Sequence, residues 1–181
     1  MKRLYVFSGP CGSGKTTLST AYAQRLIDSC ESKQVYVIHG DDIHRSLLET
    51  PRRLGPDDPD FLYWPEVLQL IWSCMLSLAD QALARGLDVV LDYVVEDELP
   101  RLRALARQHD AQLYYIVLTA PEETLRQRLI RRGDPHLTDR AVFLKHKLEQ
   151  LPENQGHLCS GTVDASSLDM QRYHLPASPA D

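Results

Sequence analysis

The chain has 181 residues, of which 43% are hydrophobic and 25% charged, with a formal net charge of −5. This length suits one domain that buries its core without disulfides or structural metals, and the composition excludes disordered, collagen-like and coiled-coil chains. The acidic balance argues against a protein that coats duplex nucleic acid, whose affinity comes mostly from phosphate neutralisation.

The start Met1-Lys2-Arg3-Leu4-Tyr5-Val6-Phe7 is basic and then apolar, but it ends at Ser8-Gly9 with no long apolar core or cleavage site. It therefore reads as a buried strand over Leu4–Phe7 rather than a signal peptide. Gly9-Pro10-Cys11-Gly12-Ser13-Gly14-Lys15-Thr16-Thr17 follows, a complete G-x-x-x-x-G-K-[ST] phosphate loop leading into a helix over Lys15–Ser29. Glycines let successive N–H groups turn inward onto phosphate oxygens, and the helix presents its positive N-terminus to the same anion. In this pattern Lys15 reaches the β/γ-phosphates and the Thr16 hydroxyl ligates Mg²⁺.

A second strand, Val35–Ile38, ends at His39-Gly40-Asp41-Asp42-Ile43-His44-Arg45 and passes into a short helix up to Glu49. Ligands in parallel sheets bind beyond the carboxyl ends of the strands, so Asp41 is placed to position and deprotonate an acceptor hydroxyl. Asp42 is either an outer Mg²⁺ partner or a helix N-cap, and His44 or Arg45 faces substrate. The turn-rich stretch Thr50–Asp60 is a long loop. With Arg52, Arg53, Phe61, Tyr63 and Trp64 it is where a second substrate would be enclosed, while Trp72, mid-helix, reads as a core anchor.

Pro65 opens a long helix with apolar spacing from Val67 through Leu83. A third strand, Val89–Leu91, ends in Asp92, a carboxylate placed to order Mg²⁺ or hold the acceptor, with Tyr93 beside it. Glu96–His109 is helical, Leu113–Leu118 is a fourth strand, and a helix from Pro121 ends near Arg132-Gly133. On it Arg128 and Arg132 share a face and suit a lid over the transferring phosphoryl group, whereas Arg126 and Arg131 point elsewhere. Thr138-Asp139 caps a further helix to about Leu151, and a strand over Leu158–Val163 precedes a frayed tail. No stretch approaches the roughly 20 apolar residues of a membrane helix. The scattered Cys11, Cys30, Cys74 and Cys159 show no CxxC or Cys/His spacing, as expected of free thiols in a cytoplasmic protein.

Strands alternating with helices predict one three-layer α/β domain over 1–181: a parallel sheet of about five strands with helices on both faces and a short arginine-bearing lid at about 126–140. The chain resembles the small P-loop kinases of the shikimate, gluconate and adenylate kinase superfamily, and is more similar still to the chloramphenicol phosphotransferase-like branch. The resemblance rests on the phosphate loop, on Ile38-His39-Gly40-Asp41, on Arg85-Gly86-Leu87-Asp88-Val89-Val90-Leu91-Asp92 and on Arg132-Gly133-Asp134. It implies a P-loop NTPase fold, with ATP and Mg²⁺ as cofactors and adenine lying along Val163–Leu168, Ser166 included. Asp92-Tyr93-Val94-Val95 stands where the shikimate enzymes carry a glycine run, which argues against shikimate as acceptor.

The expectation is an ATP-dependent kinase acting on a small-molecule hydroxyl, as a monomer or homodimer. A nucleotide kinase, a kinase of nucleic-acid 5′-hydroxyl ends, and an NTPase switch without an acceptor stand as alternatives.

Overall fold

A computed structural model describes residues 1–47, 62–160 and 163–176. The elements in chain order are β1 (Lys2–Ser8), α1 (Lys15–Asp28), β2 (Val35–His39), α2 (Gly40–Arg45), α3 (Trp64–Ala84), β3 (Asp88–Asp92), α4 (Leu99–Gln108), β4 (Ala111–Thr119), α5 (Glu122–Arg132), α6 (Thr138–Gln150), β5 (Leu158–Ser160) and β6 (His174–Leu175). The sheet order is β2-β3-β1-β4-β5, and all of these neighbours pair in parallel.

Period-two side-chain alternation explains the three layers. Leu4, Val6, Val89, Leu91, Leu113, Tyr115 and Val117 face one side and pack with α3 and α4. Tyr5, Phe7, Val90, Tyr114, Ile116 and Leu118 face the other and pack with α1 and the C-terminal segment. Because both faces are apolar, the central strands read as unbroken hydrophobic runs.

Several sequence expectations are corrected. The tail is not frayed up to residue 176: Met170, Tyr173 and Leu175 are buried, and β6 pairs antiparallel with the lower half of β4, Leu113 against Leu175. β5 occupies the upper half of the same edge, so the expected five-stranded parallel sheet stands and gains one short antiparallel strand. Residues 138 and 139 do not cap α6. Its N-cap is Leu137, and the Thr138 hydroxyl donates to the Pro135 carbonyl at 2.8 Å. Asp42 is not an N-cap either, since α2 starts at Gly40 and holds it, with Asp41, in its first turn. Trp64–Ala84 is long and apolar enough, by length and composition, to cross a membrane. Here one of its faces, with Val67, Ile71, Trp72, Met75 and Leu83, lies in the core. A helix laid on a sheet needs that apolarity. The loop at 50–60, with Arg52, Arg53 and Phe61, lies outside the described residues.

At the end of the sheet remote from the phosphate loop, Arg3 grips Asp88 through Nε and Nη2 at 3.0 and 2.6 Å, and Nη2 also reaches the Ser32 hydroxyl at 2.8 Å. The pair is mostly buried, so removing one partner leaves the other charge uncompensated. Asp88→Ala is expected to destabilise the fold by about 3 kcal/mol, read as a lower urea midpoint, with kinetic constants per folded molecule unchanged. An unaltered midpoint would show that the clamp contributes nothing to stability.

Candidate active site

The strand order puts β3 between β1 and β2, with Phe7 and His39 both in register with Asp92. The end of β1 turns through Gly9, whose φ is +138° and where a Cβ would stand 2.4 Å from the Leu118 carbonyl oxygen, so only glycine fits. The loop then enters α1, whose first-turn N–H groups have no intrahelical acceptor. Lys15 is buried and its Nζ donates to the Pro10 carbonyl at 3.0 Å.

Asp92 is 2% exposed. Its carboxylate accepts from the Thr16 hydroxyl at 3.0 Å and the Ser19 hydroxyl at 2.6 Å, and it is hydrogen-bonded to His39 Nδ1. Ser19 and His39 escaped the sequence reading because their roles arise only when α1 and β2 converge on one carboxylate.

A cavity of about 690 Å³ opens above these strand ends. Cys11, Gly12, Gly14, Lys15, Thr16 and Thr17 line its floor, Asp41, His44, Trp64 and Tyr93 one side, and Arg128 and Arg132 the lid side. Gly9, Pro10 and Ser13 support the loop from behind and are buried. Arg128 donates to the Gly12 carbonyl at 3.1 Å, and Arg132 to Asp134 at 2.5 Å. Arg126 pairs with Asp139 at 3.2 Å outside the cavity lining.

Asp41 has neither a hydrogen bond nor an ion pair among the described residues. Asp42 differs: it is 65% exposed and pairs with Arg45 at 3.0 Å, and neither lines the cavity. Tyr63 forms the capping box of α3 with Glu66 rather than lining the cavity. Ser166 donates through N and Oγ to Asp164, so Val163, Asp164 and Ala165 line the cavity in its place.

Glu96 and Arg140 are among the lining residues missed from the sequence. Arg140 donates to Glu96 at 2.7 Å, and Lys147 reaches the other carboxylate oxygen at 2.8 Å. That hydrogen bond raises the Lys147 ammonium above its ordinary pKa, against partial burial.

Tyr93 is nearly buried, its ring edge-on to Trp72 at 5.9 Å between centroids. Burial first, and then the charge of Asp41, push its hydroxyl well above the ordinary tyrosine pKa, so it stays protonated at neutral pH. The ring lies under Gly40, where a Cβ would come within 2.3 Å of Cδ2. Gly40→Ala must therefore displace either the ring or the strand-to-helix turn that carries Asp41. We expect a loss of about 1–3 kcal/mol, measured by denaturant titration, and a stability equal to the parent would contradict the close packing.

The residues fit a magnesium–nucleoside triphosphate. An ammonium, a helix N-terminus and the buried, unpartnered Ser13 hydroxyl suit a polyphosphate, and the Thr16 hydroxyl beside a carboxylate suits a hard cation. Among the described residues no cluster of three or more His, Cys, Asp or Glu would hold a metal by itself.

A family model described as an AAA domain matches residues 4–151. Guanylate kinase of Geobacter metallireducens is 27% identical over 149 residues, 74% of this chain and 68% of that protein. A probable gluconokinase of Schizosaccharomyces pombe is 26% identical over 136 residues, 75% of this chain and 66% of that protein. The structure of the Mycobacterium tuberculosis APS kinase in complex with AMPPNP and APS superposes with a TM-score of 0.63 at 15% identity, covering 94% of this chain and 93% of that one.

Proposed function

The chain belongs to the AAA-domain family and has the fold of the small P-loop kinases, and from that premise we propose that it is an ATP-dependent kinase transferring the γ-phosphate to a small-molecule hydroxyl. The observation that carries this reading is Asp41, a carboxylate without a partner among the described residues, in the same cavity as Lys15 and Thr16.

In the reaction the acceptor oxygen attacks the γ-phosphorus, the bond from that phosphorus to the β,γ-bridging oxygen breaks, and ADP leaves. Asp41 takes the hydroxyl proton. Lys15 and the Gly12–Gly14 backbone hold the β- and γ-phosphates, while Arg128 and Arg132 cover the charge spread over the transferring oxygens. Thr16 and Asp92 would hold Mg²⁺, which supplies charge neutralisation on the phosphates when bound. Ser19 and His39 fix the Asp92 carboxylate. Asp42, Arg45 and Ser166 have no part in this scheme, because their side chains are engaged outside the cavity. ATP is assigned from the family likeness and from the AMPPNP bound in the APS kinase.

The guanylate kinase relatives support a second reading, in which the acceptor is a nucleotide phosphate. The test is Mg²⁺-dependent ADP release from ATP with and without pooled acceptors: aminoglycosides, phenicols, nucleosides, nucleoside monophosphates, sugars and short oligonucleotides. Stimulation by a hydroxyl pool is expected. Stimulation by monophosphates alone would favour the second reading, and steady release that no pool alters would favour an NTPase.

A further inference from the structure

The acceptor end of the cavity has a definite chemistry. Its wall is apolar: Trp64, Leu68, Tyr93 and Val94. The Trp64 indole is 48% exposed and meets the His44 ring edge-on at 5.5 Å, and His44 stands one turn beyond Asp41 on α2. Tyr93 closes the wall beneath Gly40. Flat aromatic and aliphatic surface of this kind is complementary to a flat ligand.

The cations of the cavity stand at its phosphate and lid side or are paired with a carboxylate. Lys15 and Arg128 are bonded to carbonyls of the phosphate loop. Arg132 is held by Asp134. Arg140 is held by Glu96, whose second oxygen takes Lys147. Among the described residues, the acceptor end is left with the Asp41 carboxylate as its one unpaired fixed charge besides the titratable His44. A carboxylate or phosphate on the acceptor would be brought up against Asp41 in a site of reduced dielectric, where like charges repel strongly.

We propose that the acceptor is an uncharged hydroxyl compound with a flat apolar face, seated against Trp64, Leu68 and Tyr93, and that anionic acceptors are excluded by the Asp41 carboxylate and the pairing of Arg140 with Glu96. This rests on the kinase reading for the word acceptor, but the binding preference is measurable without turnover. The chain has two tryptophans, and Trp72 is 1% exposed in the core, so a ligand-dependent fluorescence change in the cavity reports on Trp64.

The experiment titrates the full chain, with Mg-ADP present, with two matched pairs: 1,4-benzenedimethanol against 4-(hydroxymethyl)benzoate, and guanosine against GMP. ADP release from Mg-ATP is followed in parallel. The uncharged member of each pair is expected to saturate the Trp64 signal and to bind at least about tenfold more tightly than its anionic counterpart. Trp64→Leu should remove the signal and raise the KM for an uncharged acceptor about tenfold, with the KM for ATP within about twofold. Glu96→Gln frees Arg140 and Lys147 and should narrow the discrimination within each pair.

Equal or tighter binding of the anionic members, or no saturation by either uncharged member, would overturn the proposal. Saturation by the uncharged members with no ADP released would leave the binding preference standing and remove the kinase reading instead.

Discussion

Asp41→Asn is expected to lower kcat by about 10²–10⁴-fold, the range contributed by a positioned general base, with the affinity for Mg-ATP within about twofold of the parent. The asymmetry follows from position. Asp41 lies at the end of β2 in the first turn of α2 and makes no hydrogen bond or ion pair to the phosphate loop among the described residues, so its loss removes no such bond from the nucleotide site. Asparagine keeps the size and turn geometry but cannot accept the hydroxyl proton. Steady-state kinetics with a saturating acceptor, beside nucleotide binding by calorimetry, separate the two effects. A variant with kcat within about threefold of the parent would show that Asp41 is not the base, and Glu96 would be the next carboxylate in the cavity to test.

Lys15→Ala is expected to cost about 10³-fold in kcat/KM, because one fixed positive charge aimed at the developing phosphoryl charge is worth about 10²–10³ and ground-state phosphate binding is lost with it. In the structure the ammonium rests on the Pro10 carbonyl at 3.0 Å, a weak local partner that a polyphosphate readily displaces. The same substitution should leave the fold intact, since Lys15 pairs with no carboxylate among the described residues. A loss under about tenfold would mean that the loop cradles phosphate through its backbone alone.

These two residues were legible in the sequence for a physical reason. Each lies at the start of the helix that follows a strand, and a parallel sheet brings all such positions to one edge, so an apolar run followed by Gly-x-x-x-x-Gly-Lys or by Gly-Asp already states where the side chain will be. Arg128 and Arg132 were legible from helical spacing alone, and both line the cavity. Asp42 shows the limit of that logic. It has the same position in sequence as Asp41 to within one residue, yet 100° of helix turns it outward onto Arg45.

Other features were not legible because they depend on contacts between distant segments. Glu96 meets Arg140 across 44 residues. The reason for Gly40 lies in the Tyr93 ring, and β6 is two residues long with no periodic pattern to detect. Its pairing is determined by β4, whose lower edge would otherwise be unpaired. The long apolar α3 was legible as a helix from its spacing, and its apolarity is what a sheet face asks for, in a composition similar to a membrane span.

The most direct test of the central claim follows the γ-phosphate by ³¹P NMR, in a reaction of Mg-ATP with the acceptor that best stimulates ADP release and with Lys15→Ala as the blank. The account predicts a phosphomonoester resonance that grows in step with ADP and is absent from the blank. Inorganic phosphate appearing in step with ADP, with no phosphomonoester, would contradict it.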